Sequence, residues 1–302
     1  MNMKVFITGG TGYVGSVLVE RLLSAGHEVT GLSRSETSAR ALERAGATPV
    51  AGSLDDTGVL YAAAASADVV IHAAVDYTMS EKSTATELAA VSALTAGAGA
   101  AGTGKAVLYT STGLVYGFEP DRDVSEDAEL PEVSAQPVKA QAERIVLDAS
   151  GITPIVFRAG MIFGRGGSGL VTGLIRSAVD NGAATYIGDG SNSWVPIHVD
   201  DLADLYIRAI DRPTAGVFNA VGTVPFTFRA LAEAIGALTG KPAVSIPLSV
   251  AEANLGAAVR VVTTSSRLVA TKARETFGWS PSLRSLIDDV RDGSYETAVE
   301  ER

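Results

Sequence analysis

The chain has 302 residues, 46% hydrophobic and 19% charged, which is enough apolar material for a large core and too much for a disordered chain. A net charge of −10 without a lysine/arginine stripe argues against nucleic acid and anionic membranes, leaving a small molecule or self-association as partner. With no cysteine there is no disulfide, thiol nucleophile or sulfur-bound zinc, and no metal site of another kind is expected. The N-terminus runs straight into a strand pattern and no apolar run reaches membrane-spanning length uninterrupted, so a cytoplasmic location is the expectation.

Strands are predicted at 4–8, 28–33, 48–51, 69–73, 106–111 and 153–158, and helices follow at 14–25, 35–45, 57–64 and 84–101. The strands are apolar throughout rather than alternating, as when helices cover both faces of a sheet. This is the rhythm of parallel βαβ units and predicts an α/β, doubly wound parallel sheet. The Ala/Gly-rich stretch 96–104 reads as a helix end turning into a strand. Beyond Gly164 the rhythm lapses, with Gly, Ser and Asn frequent at 165–169 and 188–193. The expected division is a dinucleotide-binding region over 1–163 and a smaller substrate-binding region over 164–302, interleaved with late sheet elements.

The run Thr8-Gly9-Gly10-Thr11-Gly12-Tyr13-Val14-Gly15 follows a predicted strand and opens a predicted helix. Gly9 suits a tight turn, Gly12 the approach of a pyrophosphate, and Gly15 close packing of helix on strand. The amides around Thr11, Tyr13 and Val14 then sit at a helix N-terminus, which favours an anion. At the end of the second strand an acid would select NADH by bonding the ribose 2′-hydroxyl. The chain has Ser33 and Arg34 there, so a guanidinium can meet a 2′-phosphate, and NADPH (or NADP) is the expected cofactor; Arg40 is a candidate assistant.

Residues 8–15 resemble the TGxxGxxG signature of the extended short-chain dehydrogenase/reductases, which include nucleotide-sugar epimerases and dehydratases and have a Rossmann fold. Gly52-Ser53-Leu54-Asp55 resembles the family's adenine-flanking turn, and His72-Ala73-Ala74 its fourth-strand motif beside the middle of the cofactor. Residues 110–117 resemble the segment that carries the catalytic Ser/Thr, which implies Thr112, with Ser111 as its neighbour and backup. Residues 158–164 resemble the nicotinamide segment, which implies Ala159, Gly160 and Ile162 at the cofactor, and 197–202 resemble a further family segment. Lys139, heading Lys139-Ala140-Gln141-Ala142-Glu143, matches the lysine that holds the ribose.

Two departures carry more information than the matches. Four residues before Lys139, where the family has its catalytic tyrosine, stands Ala135. If 135 and 139 share a helical face, the lysine has no phenol to tune, as in the atypical subgroups of the family. At Met161 and Trp194 the epimerases resembling this chain use Asn and Arg on a uridine diphosphate; here both are apolar, and Trp194 offers a flat face to an aromatic ligand.

The resulting expectation is NADPH-dependent reduction of a ketone on a bulky, aromatic or polyketide-like molecule. Thr112 would bond the carbonyl, Lys139 the ribose, and a phenol of the substrate beside the ketone, or a water relayed by Lys139, would supply the proton. Tyr77 and Tyr116 are substitute phenols, with Tyr77, Met161 and Trp194 placed at the substrate. An epimerase or dehydratase with bound NAD and a non-catalytic NADP sensor are the alternatives. His72 reads as packing or bonding backbone, and Asp200 and Asp201 as caps of the helix after His198. A homodimer through helices near 84–101 and 138–150 stands beside internal packing of their Ala-rich faces.

Overall fold

In β1 (Lys4–Thr8), Val5 and Ile7 face one apolar cluster and Phe6 another, so successive residues feed the two sides of one sheet. The computed structural model describes residues 2–75, 80–117, 123–132 and 134–296, Ala257 in its backbone only. The chain continues α1 (Tyr13–Ser24), β2 (Glu28–Ser33), α2 (Glu36–Ala45), β3 (Thr48–Ala51), α3 (Thr57–Ser66) and β4 (Val69–His72), then α4 (Glu81–Gly99), β5 (Lys105–Thr112), α5 (Pro137–Leu147) and β6 (Ile152–Ala159). These follow the expected elements closely. The largest shift is at α4, which begins before residue 84 because the Ser80 side chain caps it, accepting from the Ser83 amide at 3.1 Å.

Beyond β6 come β7 (Ile162–Phe163), α6 (Gly169–Asn181), β8 (Ala184–Ile187), β9 (Ser193–Trp194), β10 (Ile197–His198), α7 (Val199–Asp211) and β11 (Gly216–Ala220). They are followed by β12 (Phe226–Thr227), α8 (Phe228–Thr239), β13 (Ala243–Ile246), α9 (Leu248–Leu255), α10 (Val259–Thr263), α11 (Thr271–Phe277) and α12 (Leu286–Asp292).

The central sheet has seven strands in the order β11-β6-β5-β4-β1-β2-β3, all parallel. This is the doubly wound Rossmann arrangement, with β11 returning from the second half of the chain to extend it beside β6. Three two-stranded pairs, β10-β7, β12-β9 and β13-β8, surround a separate apolar cluster that includes Phe163, Ile175, Trp194, Phe228, Leu231 and Val290. The Ala-rich α4 places Ala90, Leu94 and Ala98 against Leu60 and Ala64 of α3, and Val91 against Ala142 and Val146 of α5. Among the described residues no helix is long and apolar enough to cross a membrane.

Candidate functional site

Strand order reverses between β1 and β4, and ligands of doubly wound sheets bind outside the carboxyl ends of the strands at such a point. The turn after β1 lies there. Gly9 has φ +74°, and a Cβ on it would fall 2.6 Å from the Ala74 nitrogen and 2.7 Å from the Ala73 carbonyl carbon. A Cβ on Gly15 would come within 1.9 Å of the Gly9 oxygen, so α1 rests directly on the turn. Gly12 differs: a Cβ there meets only the Gly9 oxygen, at 3.3 Å, and its outer face is open. Gly12 is also the N-cap of α1, extended (φ −79°, ψ 175°), with no side chain satisfying the first amides. Those amides fit a pyrophosphate, and the missing side chain leaves it room. Thr11 is exposed beside them, and Val14 packs against the main core. Tyr13 turns its hydroxyl away to donate to the Gly164 carbonyl, 2.8 Å distant.

At the end of β2 the Ser33 side chain is buried and donates to the Val50 carbonyl at 3.3 Å. Arg34 is exposed, and among the described residues no hydrogen bond or ion pair engages its guanidinium. Ser35 caps α2 through a capping box with Ser38. Arg40 pairs with Glu36 on the same helix, which engages the candidate assistant. Ser53 donates from its amide (2.7 Å) and hydroxyl (2.9 Å) to Asp56, closing the turn before α3, while Leu54 packs under it.

Lys139, in the first turns of α5, points back to the sheet. Its Nζ lies 3.0 Å from Glu87 Oε1 and 3.4 Å from the Thr110 carbonyl, above the Tyr109 ring. Glu87, on α4, also accepts from the Tyr109 hydroxyl at 2.8 Å and faces His72 Nε2 at 3.2 Å; His72 Nδ1 is 2.6 Å from the Thr8 hydroxyl. Burial opposes ionisation of Glu87, but the hydrogen bonds from His72 and Lys139 and the charge of the ammonium outweigh it and hold the carboxyl well below the usual range. His72 therefore packs in the interior, one of the two alternatives expected from sequence, and its hydrogen bonds go to two side chains and not to backbone. Glu87 escaped the sequence reading altogether, although it is the one acid within the Ala/Leu-rich run 84–101.

Thr112 closes β5, half-buried, its hydroxyl accepting from the Leu114 amide at 3.3 Å. Ser111 points to the other side of the strand, is buried, and donates to Glu143, whose carboxylate is held by Arg158 at 2.6 Å. Ser111 is thus part of a buried ion-pair network and not the backup for Thr112. Ala135 lies outside α5, two residues before Pro137, so the shared helical face expected for 135 and 139 does not exist. The segment is positioned instead by Ser134, which donates to the Val115 carbonyl (3.0 Å) and accepts from the Gln136 amide (3.0 Å). Tyr116 is buried, donates to Asn219 Oδ1 at 3.0 Å, and lies against Arg158, so it is no substitute phenol. Burial raises its pKa against the opposing charge of Arg158. Tyr77 lies outside the described residues.

Ala159 ends β6 in the core, the Gly160 amide donates to the Ala220 carbonyl at 3.0 Å, and Ile162 is half-buried in β7. Trp194 corrects an expectation: it is 8% exposed, donates from Nε1 to the Thr264 carbonyl at 2.7 Å, and packs edge-on to Phe228. It is core of the smaller cluster and presents no flat face; half-buried Met161 packs against the same cluster. The cap of α7 is His198, whose Nδ1 accepts from the Asp200 amide at 3.2 Å, rather than either aspartate. Asp200 pairs with Arg165, and Asp201 accepts from the Ser282 and Leu283 amides. Among the described residues no group of three or more His, Asp or Glu is placed to hold a metal.

The model of the NAD-dependent epimerase/dehydratase family matches residues 5–221. A Schizosaccharomyces pombe protein described as uncharacterized is 30% identical over 298 residues, 97% of this chain and 100% of that one. The 4-hydroxy-2-methyl-3-oxo-4-farnesyl-3,4-dihydroquinoline-1-oxide ketoreductase of Stigmatella aurantiaca is 29% identical over 224 residues, 71% of this chain and 66% of that one. Of solved structures, the Thermotoga maritima UDP-glucose 4-epimerase with UDP-glucose has a TM-score of 0.81 at 22% identity, covering 99% of this chain and 100% of that one. That likeness shows the fold.

Proposed function

The chain belongs to the NAD-dependent epimerase/dehydratase family, and from that premise we propose that it is an NADPH-dependent reductase of a bulky, largely apolar ketone. A nicotinamide cofactor and oxidoreductase-type chemistry go with the family. The observation that carries the finer reading is Arg34: an exposed guanidinium, unengaged among the described residues, follows β2, and no acid stands at positions 33 to 35.

In this reading the amides from Gly12 to Val14 bind the pyrophosphate, Arg34 the 2′-phosphate and Lys139 the ribose. The bound cofactor supplies the hydride. Thr112 donates its hydroxyl to the substrate carbonyl and orients it over the end of β5. Thr112 is far too weak an acid to release a proton at neutral pH, Ala135 supplies no phenol, and the Tyr116 hydroxyl is occupied by Asn219. The proton for the product oxygen then comes from a phenol that the substrate carries beside its ketone, or from water near Lys139. The Stigmatella ketoreductase supports the bulky, largely apolar ketone, since its named substrate carries a farnesyl group beside a 3-oxo group. An apolar residue at Met161, where related epimerases hold a diphosphate, is consistent with such a ligand.

The test is NADPH oxidation by the purified protein across a panel of cyclic ketones with and without a neighbouring phenolic hydroxyl. The hydroxyketones should be reduced, with NADPH preferred to NADH. Interconversion of UDP-sugars with NAD retained through purification would replace this reading by an epimerase, and NADP binding without turnover of any ketone by a sensor.

A further inference from the structure

The Lys139 network is more elaborate than holding a lysine side chain in a core requires. Both oxygens of Glu87 are used: Oε1 takes Tyr109 and Lys139, and Oε2 takes His72. His72 is stacked flat on Tyr109, with ring centroids 5.7 Å apart, and is fixed on its far side by Thr8. If the Thr8 hydroxyl donates to Nδ1, then Nε2 bears the ring proton and donates to Glu87. Thr8, the residue before Gly9, is therefore linked to Lys139 through only two side chains. The side chains of Glu87 and Lys139 are 8% and 13% exposed, so the pair is not a solvated surface bridge of little consequence. The Tyr109 hydroxyl alone would need only a neutral acceptor; a carboxylate here answers the ammonium.

We propose that Glu87 is a positioning residue for Lys139, resting on the NADPH reading above: the carboxylate fixes the ammonium where it meets the ribose, and His72 and Thr8 tie that position to the anion-binding turn. With Ala135 supplying no phenol, the lysine takes its orientation from α4 rather than from a tyrosine. Gln at 87 keeps the shape and loses the charge, so the variant weakens binding through Lys139 and not through lost volume.

The test is a double-mutant cycle on NADPH affinity, read by the change in nicotinamide fluorescence, with thermal melts on each variant. Glu87→Gln and Lys139→Met should each weaken binding about tenfold, and the double variant should be no weaker than Lys139→Met, because Glu87 acts only through the lysine. An indifferent Glu87→Gln, or losses that multiply, would overturn the proposal. A second measurement needs no variant: NMR coupling across the hydrogen bond from Lys139 Nζ to Glu87 Cδ should persist in the NADPH complex. Its disappearance on NADPH addition would show that the lysine leaves Glu87 to reach the cofactor, and would equally overturn it. Failure of the unmutated protein to bind NADPH or NADH removes the proposed function and this role together, whereas normal binding with an indifferent variant removes only the role.

Discussion

The Tyr13 hydroxyl donates to the carbonyl oxygen of Gly164 at 2.8 Å, joining the start of α1 to a loop 151 positions further along the chain. Around this bond the loop is pinned from several sides. Tyr295 accepts from the Gly164 amide (3.0 Å) and donates to the Gly167 carbonyl (2.6 Å), and Arg165 pairs with Glu20 of α1 and Asp200 of α7. The change of texture visible after Gly164 is thus a loop held against α1.

Tyr13→Phe keeps the ring and removes this bond. It should cost about 1 kcal/mol in urea unfolding, the usual net value of one such bond. Gly167→Ala should cost more, because its Cβ would fall 2.0 Å from Tyr13 Cε2 and displace the ring. Equal stability of Tyr13→Phe and the unmutated protein would contradict the importance given to this bond.

Gly12 and Gly15 separate binding from folding. Gly12→Ala brings its methyl to 3.3 Å from the Gly9 oxygen and meets nothing else, so the melting temperature should fall far less than for Gly15→Ala while cofactor binding is lost. Gly15→Ala drives a Cβ into the Gly9 oxygen and should lower the melting temperature itself. Cofactor titration beside a thermal melt reads both; a cofactor-competent Gly12→Ala would remove the pyrophosphate from this turn.

Thr112 and Ser111 are adjacent but face different surroundings. Thr112→Val should reduce turnover about a hundredfold with little change in stability, as for loss of one donor to a developing oxyanion. Ser111→Ala removes a buried bond to Glu143, so it should cost about 1–2 kcal/mol in stability and spare kcat. The reverse pattern would exchange their roles.

The acid range reports on Glu87. Its folded pKa lies below its ordinary value of 4.5, so the stability it contributes is complete above that pH and fades as the pH falls toward the folded value. Glu87→Gln, which strands the Lys139 ammonium, should cost about 3 kcal/mol at neutral pH. The gap from the unmutated protein should close by about 1.4 kcal/mol per pH unit well below 4.5. Urea unfolding from neutral pH downward would show it; a gap that widens toward acid would contradict the ion pair.

What could be read from the residues alone follows a physical division. The tight turn at Gly9 and the close packing at Gly15 are local matters of backbone and Cβ space, and both are legible in the sequence. So are the six strands to β6, because apolar runs between helical stretches determine them. Pairings across the chain are not. Trp194 reads as a ligand face until Thr264 and Phe228 are found around it; Ser111 reads as a spare hydroxyl until Glu143 is found beside it; and Glu87 has no meaning before α4 and α5 meet. Ala135 reads from the sequence as the place of the family's tyrosine, but its position before the helix depends on Pro137 starting α5 one residue after the Gln136 cap.

The central claim, that this turn and Arg34 bind the phosphorylated dinucleotide, is most directly tested by titrating the purified protein with NADPH and NADH, and repeating both with Arg34→Ala. NADPH should bind at least tenfold more tightly than NADH, and Arg34→Ala should abolish the difference by weakening NADPH alone. Tighter binding of NADH, or a preference untouched by the loss of Arg34, would contradict the account.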